Sequence, residues 1–178
     1  MARYGMAIDL RTCTGCTACV VSCKVENQVD GGLSRDRVTQ RVTGRFPSLT
    51  LEIFSERCNQ CADAPCVWNC PTGASHYNVG GIVMIDEAKC TGCKACIAAC
   101  PYDARFINQR GYAEKCTFCL HRVKEGLEPA CVATCPSLAM VFGDLEDPES
   151  DISRSLASRR HRALLPEAGT RPNHFYLE

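Results

Sequence analysis

No stretch of this chain stays apolar for long. Its longest uninterrupted apolar runs cover a few residues, far short of the roughly 20 that a membrane helix needs, so no direct membrane span is expected. Charge of one sign is also missing. Lys plus Arg number 20 and Asp plus Glu number 20, a formal net charge of zero, which removes the basic excess that marks a nucleic-acid partner. Met1 to Met6 hold no charged region followed by a long apolar run, so the reading is a chain with no secretory leader of its own. No Ser/His/Asp arrangement, phosphate-binding Walker loop or Gly-x-Gly-x-x-Gly is present. The chain therefore offers no catalytic residues and reads as non-catalytic on its own.

What is present is cysteine, 16 in 178 residues. Such a level marks disulfide scaffolds in short secreted chains, but here the cysteines fall into four groups of four. Within a group they sit so close that local disulfides fit poorly, and clustered cysteines without a secretory signal read as metal ligands. Cys90, Cys93, Cys96 and Cys100 are spaced C-x2-C-x2-C-x3-C, with Pro101 next. This is an iron–sulfur run, in which three close thiolates hold one cluster and the fourth reaches another. The same spacing occurs 77 residues earlier in Cys13, Cys16, Cys19 and Cys23, with Lys24 in place of proline. Both copies carry Ile-Asp upstream and Cys-Thr-Gly-Cys in the loop, an internal repeat that defines the architecture. Gly15 and Gly92 let backbone amides approach a cluster. The other groups are Cys58, Cys61, Cys66 and Cys70, then Pro71, and Cys116, Cys119, Cys131 and Cys135, then Pro136. A zinc site uses four ligands from two separated pairs, and three groups could be forced into that scheme. A zinc-stabilised interaction module is therefore the lesser alternative. Sixteen cysteines supply four clusters with none left over.

Strands are predicted at Ser48–Phe54, Ile82–Ile85 and Leu138–Phe142, and a basic helix at Ser153–Leu165. Gln28–Pro47 reads as a polar surface loop, Leu120–Ala130 as a helical turn plus loop, and Arg171–Glu178 as an irregular tail. Trp68, between Cys66 and Cys70, reads as packing against a cluster or lying along an electron path. Lys24 could raise the potential of a nearby cluster, meet a partner or simply be solvated. His76 and His121 are surplus to ligation. Tyr102, Arg105 and Phe106 read as core and interface.

The four groups resemble the iron–sulfur subunit of the dimethyl sulfoxide reductase superfamily, nearest the polysulfide, thiosulfate and dimethyl sulfoxide reductase type. So do KCTFCLHR over Lys115–Arg122, PACVATCP over Pro129–Pro136 and VFGDL over Val141–Leu145. The resemblance covers residue 4 to about residue 150. It implies an α+β fold of two nested ferredoxin-like units, with small antiparallel strands, short helices and many loops, each unit holding two [4Fe-4S] clusters. The outer unit is 1–47 plus 111–150, the inner unit 48–110, and 151–178 a tail that contacts a partner subunit. The implied ligand sets are Cys13, Cys16, Cys19 and Cys135 for cluster one, and Cys58, Cys61, Cys66 and Cys100 for cluster two. Cluster three takes Cys70, Cys90, Cys93 and Cys96, and cluster four Cys23, Cys116, Cys119 and Cys131. The resemblance also implies a wire running from cluster one, nearest a molybdopterin catalytic subunit, through two and three to cluster four. Cluster four would then lie nearest a quinone-reacting integral membrane subunit. Membrane association through these partners, on the periplasmic side with the cytoplasmic side as the alternative, is the matching location. A free-standing polyferredoxin is the alternative.

Overall fold

The computed structural model describes residues 2–178. Strand β1 (Tyr4–Asp9) opens the chain and buries Met6, Ala7 and Ile8 completely. Each large side chain so buried contributes about 1.5–3 kcal/mol. The first cysteine loop leads into helix α1 (Ala18–Glu26). Strands β2 (Asp36–Arg45) and β3 (Ser48–Arg57) follow as one antiparallel hairpin, paired from Asp36–Arg57 to Arg45–Ser48. Then come α2 (Pro65–Trp68), the pair β4 (Ser75–Tyr77) and β5 (Val83–Ile85), α3 (Ala95–Ala98), and the two-residue strands β6 (Phe106–Ile107) and β7 (Ala113–Glu114). Helices α4 (Leu120–Lys124) and α5 (Ala130–Ala133) precede β8 (Met140–Asp144), α6 (Asp151–Ser158), β9 (His161–Arg162) and β10 (His174–Leu177).

One four-stranded sheet joins the ends of the chain in the order β8-β1-β10-β9. Strand β1 runs antiparallel to β8 and parallel to β10. Phe54 and Tyr176 meet edge to face at 5.4 Å, and Tyr4 stacks on Phe142 at the same distance. These contacts tie β3 to β10 and β1 to β8. Ser150 caps α6 by accepting from the Ser153 amide at 3.2 Å, and Ile152 buries its side chain with Ala7 and Leu177.

Three expectations need correction. Gln28–Pro47 is not all loop: Asp36–Arg45 is a ten-residue strand, formed because β3 supplies a full ladder of partners. The last residues are not an irregular tail. His174, Tyr176 and Leu177 are buried in a strand that lies between β1 and β9. Helix α6 is shorter and earlier than Ser153–Leu165. It starts at the Ser150 cap and stops at Arg159, which turns extended and pairs with Asp9 at the end of β1.

Candidate metal centres

None of the sixteen cysteines is in a disulfide. Left-handed residues bend the loops that carry them: Gly15 (φ 68) and Thr17 (φ 63) in the first group, Gly92 (φ 67) and Lys94 (φ 64) in the third. Gln60 plays this part in the second group, and Phe118 and Cys119 in the fourth. The bends turn backbone amides toward sulfur. Ala113 N–H donates to Cys90 Sγ at 3.4 Å, Ser75 N–H to Cys70 Sγ at 3.4 Å, Phe118 N–H to Cys116 Sγ at 3.5 Å and Ala139 N–H to Cys135 Sγ at 3.3 Å. Such donors favour the thiolate. At Cys16 the Ala18 amide, then the Thr14 hydroxyl, holds the thiol below its ordinary value.

The thiols gather into four sets. One cavity is lined by Cys70, Cys90, Cys93 and Cys96. A second is lined by Cys58, Cys61, Cys66 and Cys100. Cys13 feels the charges of Cys19, Cys135 and Cys16. Cys23 feels Cys116 and Cys131, Cys131 feels Cys119, and Asn27 Nδ2 lies 3.6 Å from Cys23 Sγ and 3.7 Å from Cys119 Sγ. In each set three cysteines come from one group and the fourth from a distant one.

These sets suit a cuboidal cluster better than a single ion. Among the described residues no three His, Cys, Asp or Glu side chains converge closely enough to hold one metal ion. Burial pushes the Cys61 and Cys116 thiols up to about 12, and the positive charge of bound iron would favour the thiolates. Buried donors also stand unpaired beside the sets: Arg57 Nε, Arg105 Nε and Arg105 Nη1. A buried N–H without an acceptor costs about 1–3 kcal/mol, and a cluster held by these cysteines would supply acceptors.

The sets follow one another in an unexpected order. Cys19 and Cys23 are one turn apart on α1, which packs against α5 with its Cys131, so the sets of clusters one and four are neighbours. Gln60, which stands between Cys58 and Cys61, donates from Nε2 to the Cys116 carbonyl oxygen at 2.7 Å, which puts set four against set two. Helices α2 and α3 then pack together, and Arg105 lines both remaining cavities, so sets two and three are neighbours. The order is one, four, two, three, and not one to four as expected. The physical reason is that groups one and four share a helix pair and groups two and three share another. The exposed cysteines are Cys16 in set one and Cys93 in set three.

Other singled-out residues settle more simply. Trp68 is 70% exposed and does not pack into a cluster cavity. Lys24 Nζ donates to the carbonyl oxygens of Asp30 and Leu33 and ties down the loop after α1. His76 Nδ1 lies 3.0 Å from the Ala74 carbonyl oxygen, and His121 Nε2 lies 2.7 Å from Glu26 Oε1. Tyr102 is buried. Three buried cations stand out instead: Arg57, Arg105 and Lys115, at 4%, 4% and 1% exposure. Arg57 Nη1 donates to Cys131 Sγ at 2.9 Å and Arg105 Nη2 to Cys66 Sγ at 2.8 Å. Lys115 Nζ donates to the Val83 carbonyl and, at 2.8 Å, to the Cys116 carbonyl. The one sequence signal for two of them is a basic residue directly before the first cysteine of a group, and exposed Lys89 carries the same signal before Cys90.

The 4Fe-4S dicluster domain family matches residues 49–145. A tetrathionate reductase subunit of Salmonella typhimurium is 47% identical over 98% of this chain and 72% of its own length. A polysulfide reductase polypeptide of Wolinella succinogenes is 42% identical, with 98% and 94% covered. The arsenate respiratory reductase iron–sulfur subunit of a Shewanella species is 36% identical, with 98% and 96% covered.

Proposed function

This protein belongs to the 4Fe-4S dicluster family of reductase iron–sulfur subunits, and from that premise we propose that it is a four-cluster electron wire. Single electrons pass between a quinone-reacting integral membrane subunit and a molybdopterin catalytic subunit. Iron–sulfur clusters supply the one-electron chemistry, and the protein tunes and spaces them. Each of the four thiol sets holds one [4Fe-4S] cluster, and the sets form two nested ferredoxin-like units. The outer unit has clusters one and four and the inner unit clusters two and three. The outer unit is closed by β10, so 151–178 serves both the sheet and, in this reading, a partner contact.

One observation carries the proposal. The sets lie in file, and their exposed cysteines sit at the two ends of the file, Cys16 in set one and Cys93 in set three. A carrier with a single docking site needs one exposed end, whereas a relay needs two. The catalytic subunit then faces cluster one and the quinone-reacting subunit faces cluster three. Among the described residues no helix is long and apolar enough to cross a membrane; attachment to the membrane through the partner, on the periplasmic side, is part of this reading.

Iron and sulfide analysis of the anaerobically purified protein should give about 16 irons per chain, four to each cubane. A few zinc ions without labile sulfide would end this reading. Co-purification of two partners, with Cys16-side and Cys93-side surfaces each protected by a different one, supports the relay. A stable, electron-carrying monomer without partners identifies the free-standing polyferredoxin instead. Cys135→Ser should alter the cluster held by Cys13, Cys16 and Cys19, and Cys23→Ser the one held by Cys116, Cys119 and Cys131. A spectral defect elsewhere would refute the nested sets.

A further inference from the structure

The file of clusters has an electrostatic problem at its centre. Reducing a cluster adds a negative charge, and an apolar interior solvates charge poorly. Sets one and three each have an exposed cysteine, so water helps them. All eight cysteines of sets four and two are buried except Cys100. Burial alone would make clusters four and two the hardest to reduce and would leave a barrier in mid-path.

Two guanidiniums stand at that place. Arg57 bonds Cys131 and Arg105 bonds Cys66. These are equivalent thiols, each the third cysteine of its group and each in the first turn of a four-residue helix. We propose that Arg57 and Arg105 are tuning residues that offset the burial of clusters four and two, and so level the path through the molecule. The inference rests on the four-cluster reading above. Each cation stabilises the reduced, more negative form of its cluster, because hydrogen bonds and net charge at the sulfurs set the potential. The unpaired Arg57 Nε, Arg105 Nε and Arg105 Nη1 are donors that can reach further sulfur.

The two arginines are not equal. Asp36 lies 3.6 Å from Arg57, with both side chains 1% exposed, and its carboxylate cancels part of the charge. Among the described residues Arg105 has no carboxylate within ion-pairing distance, and its other bonded partner is the Ser75 hydroxyl at 3.0 Å. Cluster two therefore receives the larger lift, and cluster four carries a residue pair of opposite sign.

The test is a potentiometric EPR titration of the anaerobically purified complex with iron and sulfide counted, for wild type, R105Q, R57Q and D36N. Cys61→Ser and Cys119→Ser mark the signals of clusters two and four. R105Q should lower the cluster-two midpoint by about 59 mV or more, a tenfold fall in reduced-to-oxidised ratio at fixed potential. R57Q should lower cluster four by less. D36N should raise cluster four, and loosened packing does not produce opposite signs from neighbouring residues. Unchanged midpoints in fully loaded variants, or shifts confined to clusters one and three, would overturn the proposal. If a glutamine variant loses its cluster, D36N decides alone, because a cluster-four midpoint that falls or stays put overturns it. A wild type with fewer than four clusters fails the reading beneath and not the role of the arginines.

Discussion

The two copies of the cysteine repeat begin alike and end differently. In the first, Asp9 Oδ1 accepts from the Arg11 amide at 2.9 Å and Cys13 N–H donates to the Asp9 carbonyl at 3.0 Å. In the second, Asp86 Oδ1 accepts from the Ala88 amide at 3.0 Å and Cys90 N–H donates to the Asp86 carbonyl at 3.1 Å. Glycines at φ 68 and 67 and left-handed Thr17 and Lys94 complete the match. Yet α1 runs nine residues and α3 only four. The difference is one residue after the fourth cysteine. Pro101 cannot donate to the helix ladder and restricts Cys100 before it. Lys24 can continue the helix, and α2 and α5, which are followed by Pro71 and Pro136, also stop at four residues. The extra turns bring Asn27 to the sulfurs of Cys23 and Cys119. A repeat thus gains a new contact between the first and fourth cysteine groups, within one set, through the loss of one proline.

The harshest way to break this comparison is to take the iron away. Cys19, Cys58, Cys116 and Cys131 are part of the core itself, and structural metal binding can be worth about 10 kcal/mol or more. Anaerobic chelation should therefore abolish the cooperative thermal transition of both copies, followed by circular dichroism; a surviving cooperative transition would mean that the core stands without clusters. Next comes Lys24→Pro, which should cost about 3 kcal/mol and separate Asn27 from Cys119. Urea unfolding of the loaded protein measures it, and a loss as small as that of Pro101→Ala would remove the role given to the longer helix. A smaller contrast separates the glycines. Alanine at either must adopt a left-handed conformation, at about 1–2 kcal/mol. At Gly92 its Cβ would also stand 2.5 Å from the Gly111 carbonyl oxygen, whereas at Gly15 the nearest atom is Ile53 Cγ2 at 3.1 Å. Gly92→Ala should thus lower the melting temperature and iron content more than Gly15→Ala, and the reverse order would show that the hairpin yields less than the loop.

The smallest effect is in acid. Hydrogen bonding from Arg159 holds the Asp9 carboxyl below its ordinary 3.8. At Asp86 burial pushes up, but Lys89 and the Ala88 amide outweigh it. A depressed carboxylate adds stability that is present above 3.8 and lost as pH falls through the lower folded value. Asp9→Asn should therefore flatten the acid limb of stability by a few tenths to about 1 kcal/mol, and Asp86→Asn by less. Urea midpoints from about pH 5 to about pH 3 check it, and equal effects would erase the distinction between the copies.

The legible parts of this protein are those that the chain writes locally. Cysteine spacing and the Ile-Asp and Cys-Thr-Gly-Cys phrases announce the repeat, and alternation announces β3. Strand β2 is illegible because Val38 and Val42 stand among Thr, Arg and Gln, and most of its side chains face water. It becomes a strand by pairing with β3. Strand β10 is four residues long, and its reason to be extended is β1, more than 160 residues away. The order of the cysteine sets is illegible for a similar reason: chain order says nothing of which helix pairs pack together. The buried arginines hide because an arginine in a sequence reads as surface, and only a nearby thiolate set makes burial tolerable.

Strand β10 also has a practical side. It runs parallel to β1, with Leu177 beside Asp9, and the Leu10 amide donates to the Leu177 carbonyl at 3.1 Å. Leu10 is three residues from Cys13. Whatever continues past Glu178, whether more chain, a purification handle or a fluorophore, therefore starts beside the Cys13 loop. A label joined ahead of Tyr4 starts at the opposite end of the same strand pair. The two termini are thus unequal attachment points, and the near one reports on, or obstructs, the end of the molecule that carries the first cysteine loop.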